Sequence, residues 1–79
     1  MAVEIRVPEL GEDAEGGEVS FWYFEQGDRV KEGDVLLEVH TEKASVQIES
    51  TATGVLKEIK AGEGAKVKEG DILGIIEPA

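Results

Sequence analysis

Gly27-Asp28-Arg29-Val30-Lys31-Glu32-Gly33-Asp34-Val35-Leu36 returns 37 residues later as Gly64-Ala65-Lys66-Val67-Lys68-Glu69-Gly70-Asp71-Ile72-Leu73. The two stretches differ only at Asp28/Ala65, Arg29/Lys66 and Val35/Ile72, and the last two exchanges are conservative. The same offset pairs Gly17 with Gly54, Val19 with Leu56, Trp22 with Ile59 and Val39 with Ile76. A repeat of this length needs a structural cause, and two copies are too few to stack as a solenoid. The expectation is two similar halves, each of four short strands, related by an approximate two-fold axis and packed as a closed unit.

Working outward, Val3, Ile5 and Val7 alternate with Glu4 and Arg6, which is the period of a half-buried strand. Strands are expected at roughly 2–7, 18–24, 28–31, 34–40, 44–50, 54–60, 65–68 and 71–77. Turn signals separate them: Gln26-Gly27, Glu32-Gly33, Thr53-Gly54, Gly62-Glu63-Gly64 and Glu69-Gly70. Pro8 marks an end or an edge. No window carries a 3.6-residue period. The fold class is therefore all-β, a flattened eight-stranded barrel or sandwich of two quasi-symmetric four-stranded halves. Val19 and Trp22, like Leu56 and Ile59, stand three apart, so a bulge or bend is expected in each of those strands. Glu18-Val19-Ser20-Phe21-Trp22-Tyr23-Phe24 is the heaviest apolar run. It reads as core or half-buried, since no basic groove lies beside it to make a base-stacking platform.

Seventy-nine residues make a single domain, 1–79, with a thin core. The chain has no cysteine, which excludes disulfides, thiolate metal sites and a cysteine nucleophile. His40 is the lone histidine and cannot by itself hold a transition metal, so no metal site is expected. Gly62-Glu63-Gly64 is not a dinucleotide fingerprint, because Val67 stands where the third glycine belongs. No serine lies in a nucleophile elbow, and no carboxylate pair stands out, so no catalytic residue is assigned. The net charge is −10. Residues 1–42 hold twelve acidic against three basic residues, and residues 43–79 hold six against five. That balance argues against nucleic acid and anionic membranes and suits a basic partner. No apolar run is long enough to span a bilayer, and no secretory leader is seen, so a cytoplasmic location is expected.

Thr41-Glu42-Lys43-Ala44 lies between two strand-like runs, at the junction of the halves. Lys43 then sits at a hairpin tip, with residues 1 and 79 at the opposite end of the molecule. On most hairpins such a lysine is merely solvated. As a free catalytic amine it is weak: an ordinary lysine is neutral in only about one molecule in 2,500 at pH 7. A tip beside Glu42 offers neither the burial nor the cationic neighbour that activates Schiff-base lysines. The side chain is better suited to being modified than to reacting. The segment 8–17 carries Glu9, Glu12, Asp13 and Glu15, and reads either as a solvated loop or as a recognition loop for a basic partner.

These residues together resemble the lipoyl domains of the E2 acyltransferases of 2-oxo acid dehydrogenase complexes. Glu42-Lys43-Ala44 is similar to the family's Asp-Lys-Ala/Val. Val7-Pro8-Glu9-Leu10-Gly11-Glu12, Gly17-Glu18-Val19, Gly27-Asp28 with Val30 and Gly33-Asp34, and Gly54-Val55-Leu56 resemble its other motifs in register. The resemblance covers essentially the whole chain. It implies that Lys43 carries lipoic acid in amide linkage, with Glu42 and Ala44 as flanks read by a lipoate ligase or lipoyl transferase. An overexpressed sample can lack the group. It implies a non-catalytic, monomeric swinging-arm domain acylated by E1, discharged at the E2 catalytic core and reoxidised by E3, in a bacterial cytoplasm. It also implies that the 8–17 loop helps E1 choose its substrate. Glu42 replaces the commoner Asp, and Ser50-Thr51-Ala52 stands where a proline often follows the fifth strand. Glu77-Pro78-Ala79 resembles the start of an Ala/Pro-rich linker. The alternatives are a biotinyl domain, whose lysine is typically flanked by methionines, a glycine-cleavage H protein, which is longer, and an unmodified acidic interaction domain.

Overall fold

Short alternating segments broken by glycine turns leave each strand one face to bury, and two sheets packed face to face bury them together. The computed structural model describes residues 2–10 and 16–79. Its strands are β1 (Val3–Arg6), β2 (Gly17–Trp22), β3 (Arg29–Val30), β4 (Val35–His40), β5 (Ser45–Glu49), β6 (Gly54–Ile59), β7 (Lys66–Val67) and β8 (Ile72–Pro78). They form two four-stranded sheets in the orders β1-β8-β6-β3 and β5-β4-β2-β7, with every pairing antiparallel. The described residues contain no helix.

The repeat explains this arrangement. Exchanging β1 with β5, β2 with β6, β3 with β7 and β4 with β8 turns one strand order into the other. The halves of the sequence are thus not the sheets: each sheet takes two strands from each half, and the pseudo-two-fold exchanges the sheets. Backbone hydrogen bonds obey the same operation. Val19 N–H donates to Ala65 O as Leu56 N–H donates to Asp28 O, and Gly27 N–H to Leu56 O as Gly64 N–H to Val19 O. The Lys-Glu-Gly-Asp copies are turns. Asp34 and Asp71 N–H close back on Lys31 and Lys68 O, with Gly33 and Gly70 at φ +94° and +86°, where side chains are disfavoured. The Asp34 and Asp71 carboxylates each accept the N–H of that same lysine, at 2.9 and 2.8 Å.

The symmetry breaks ahead of β2. Val7 N–H donates to Asp71 O and Val7 O accepts from Gly70, as Ser50 N–H donates to Asp34 O and Ser50 O accepts from Gly33. Val7 therefore matches Ser50. Nine residues then lead to Gly17 and only three to its mate Gly54, so the first half carries a six-residue insertion in segment 8–16.

Bulges occur where the three-residue spacings place them, between Val19 and Phe21 against β4 and between Leu56 and Glu58 against β8. They turn Val19 and Trp22 to the same, buried side. Leu36, Leu37, Val39, Leu56, Leu73 and Ile76 are fully enclosed between the sheets. Trp22 lies over Gly74, whose Cβ would meet the ring at 3.2 Å, and its indole N–H donates to Ala61 O at 2.7 Å. The run 18–24 is not core throughout: β2 ends at Trp22, and Phe21 and Tyr23 are exposed. Two further expectations change. β3 and β7 are two-residue edges, shorter than read, because the flanking turns consume the rest. Glu77 and Pro78 do not leave the domain as a linker. They continue β8, where Pro78 pairs with Gly54, and Ala79 N–H donates to Thr53 O.

Candidate functional site

The β4–β5 hairpin positions the candidate lysine. His40 and Ser45 are its last paired residues, leaving Thr41 to Ala44 as a four-residue loop. Thr41 organises it. Its N–H donates to Ala44 O at 2.7 Å, and its hydroxyl donates to the same oxygen at 3.2 Å. That hydroxyl oxygen also accepts the N–H groups of Ala44 at 3.1 Å and Lys43 at 3.3 Å. A short β-hydroxyl satisfying nearby backbone donors is a common device for fixing turns. No residue of the loop has positive φ. Glu42, Lys43 and Ala44 are all exposed. The arrangement is a stiff turn that offers one lysine to solvent between a carboxylate and a methyl group.

Gly16, Gly17, Glu18, His40, Thr41, Glu42, Lys66, Val67, Lys68 and Asp71 surround a shallow hollow beside this turn. Asp71, immediately before β8, is therefore at the Lys43 end, and Pro78 ends that strand six steps from its first residue, Ile72. At roughly 3.3 Å per residue that is about 20 Å, along a molecule 37 Å in its longest extent. The Lys43 turn and residue 79 thus lie at opposite ends. The segment carrying the acidic residues begins and ends at the lysine end. Leu10 N–H donates to the Glu69 carboxylate at 2.8 Å, and Arg6 Nη1 to Gly70 O at 2.8 Å, which ties its start to the β7–β8 turn. Gly16 and Gly17 border the hollow. A Cβ at Gly17 would come within 2.6 Å of Val39 Cγ1, so β2 approaches β4 closely there. Glu9 is exposed beside Leu10, whereas Glu12, Asp13 and Glu15 lie outside the described residues. Thr41 is the residue that the motif reading passed over. Its signal was a hydroxyl two positions before a loop-tip residue.

An all-β scaffold that presents a lysine on a hairpin away from residue 79 has the geometry that a covalent-carrier domain requires. The chain belongs to the biotinyl/lipoyl attachment domain family: the family described as "Biotin-requiring enzyme" matches residues 3–76. It is 38% identical over 73 residues to the dihydrolipoyllysine-residue acetyltransferase component of pyruvate dehydrogenase complex from Staphylococcus epidermidis, and equally so to that of Staphylococcus aureus. The match takes 92% of this chain and 17% of those relatives, so the chain spans about a sixth of their length. Among solved structures it resembles the lipoyl domain of the 2-oxoglutarate dehydrogenase complex from Azotobacter vinelandii, with TM-score 0.73, 28% identity and 95% and 99% of the two chains covered. Kluyveromyces lactis urea carboxylase contains the same fold, at TM-score 0.81 and 21% identity over 98% of this chain and 6% of that one.

Proposed function

We propose that Lys43 is the attachment residue of a lipoyl carrier domain in an E2 acyltransferase. The observation that supports it best is the Thr41-braced turn, which holds exposed Lys43 apart from the chain ends within a biotinyl/lipoyl fold. Glu42 and Ala44 as flanks favour lipoate over biotin, because no methionine adjoins the lysine. The attached group would supply a disulfide that takes up an acyl group and two electrons. The protein's own part is to hold the lysine at a fixed outpost and keep the arm away from its core. Tethering then raises the arm's effective concentration at each partner site. The partners in this reading are a lipoate ligase or lipoyl transferase, E1, the E2 catalytic core and E3. The domain itself carries no catalytic step. Glu9, Glu12, Asp13 and Glu15, in the segment whose described flanks at Leu10 and Gly16 reach the lysine end, are the residues that E1 would read. The chain would act as a monomeric unit in a bacterial cytoplasm.

Intact-mass measurement after incubation with lipoate, ATP and a ligase tests this. One lipoyl-sized adduct is expected, absent from Lys43→Arg while the melting temperature is unchanged. A biotin-sized adduct from the native host, or a lipoyl adduct surviving in Lys43→Arg, would overturn the assignment.

A further inference from the structure

The outer face at the end of β2 and the bend that follows it carry two neighbouring aromatic rings that the fold does not require. Phe21 and Tyr23 are 45% and 49% exposed, the large hydrophobic side chains left outside among the described residues. Their rings meet edge to face, with centroids 4.9 Å apart. Such exposed pairs are uncommon and mark contact surfaces more often than scattered single residues do.

The pseudo-two-fold provides an internal control. Tyr23 N–H donates to Leu36 O just as Lys60 N–H donates to Leu73 O, so the backbone bend after each bulge is the same. At the equivalent positions on the other sheet stand Glu58 and Lys60, which pair with each other at 3.2 Å. The scaffold thus builds this bend with an ordinary exposed ion pair. The rings on β2 answer to something else.

Carboxylates bracket them. Glu38, half-buried, lies directly across from Phe21 on β4. On the opposite side of β2, Glu63 reaches Trp22 N–H at 3.4 Å. Three residues along β2 from Phe21, towards the lysine turn, stands Glu18, paired across to His40. Rings flanked by carboxylates suit a guanidinium, which stacks on aromatic faces and bonds carboxylates through its fork, whereas an ammonium is more strongly hydrated.

We propose that Phe21 and Tyr23, with Glu38 and Glu63, form a docking surface for an arginine-bearing segment of a partner protein. The net charge of −10 draws such a segment in, and the rings select arginine over lysine. The surface does not depend on modification of Lys43. It lies on the sheet that carries the lysine turn, so a docked partner would sit beside the arm.

Titrating isotope-labelled protein with a hexa-arginine peptide and with hexa-lysine tests this by amide chemical shifts. Hexa-arginine should bind about two- to fivefold more tightly, with shifts centred on residues 21, 23, 38 and 63. The double variant Phe21→Glu with Tyr23→Lys installs the pair found on the other sheet and leaves the net charge unchanged. It should bind both peptides equally. Equal affinities in the parent protein, shifts centred on segment 8–17, or a preference that survives in the double variant would each overturn the proposal. The parent comparison decides the matter even if the double variant folds poorly. Failure here would leave the mass result at Lys43 untouched.

Discussion

A threonine hydroxyl does more to shape the lysine turn than either residue beside Lys43. Thr41 gathers the amides of Lys43 and Ala44 onto one oxygen, while Glu42 and Ala44 point to solvent. Thr41→Val keeps the shape and removes the hydroxyl, so amide exchange at 43 and 44 should quicken. With water able to replace the lost bonds, global stability should fall by about 0.5–1 kcal/mol. Thr41→Ser should restore the exchange rates. If valine exchanges as slowly as threonine, the hydroxyl does not hold the turn. The place of Lys43 in a hairpin loop was legible because it lies between two strand-like runs at the repeat junction. Thr41 was not, because a threonine is equally at home in a strand and nothing in the sequence says where its hydroxyl points. Phe21 and Tyr23 were misread for a related reason. Composition shows an apolar run, but only the bulge decides that Trp22 turns inward and its neighbours outward.

Among the elements, the strands fell where alternation and glycine turns place them, and they differ from expectation chiefly at their ends. Each end is set by a neighbour that the sequence does not name: β8 extends through Pro78 because Gly54 lets the two backbones close together. A methyl group at 54 would run into Glu77 O and Pro78 Cα. Gly62, by contrast, has open space around its Cβ direction and lacks a left-handed φ. The two glycines should respond with opposite signs. Gly54→Ala should destabilise the domain by about 1–3 kcal/mol through overpacking. Gly62→Ala should stabilise it by about 0.4–1 kcal/mol by restricting the unfolded chain. Urea midpoints measure both, and shifts of the same sign would contradict the packing described for β6 and β8. The edges follow element logic too. β3 and β7 are two residues long and begin with Arg29 and Lys66, a short and charged border that discourages strand addition.

For the whole molecule, the 37-residue offset foretold a two-fold but not that the axis would exchange the sheets. Local pattern fixes which strands resemble one another and leaves open which ones pair. The six-residue insertion was hidden inside an acidic segment and emerged only when Val7 and Ser50 proved to be hydrogen-bonding twins. The exchange of sheets carries one more consequence. The β4–β5 hairpin and the gap between the chain ends occupy equivalent places, so connection and interruption are interchangeable there. A circular permutant opened within 41–44 and closed by a short linker from 79 to 2 should fold to the same architecture, with similar circular dichroism and cooperative melting. It would have its break where the parent displays Lys43. In such a permutant the residue order at the lysine is cut while the scaffold survives, which would separate what the domain needs in order to fold from what it displays.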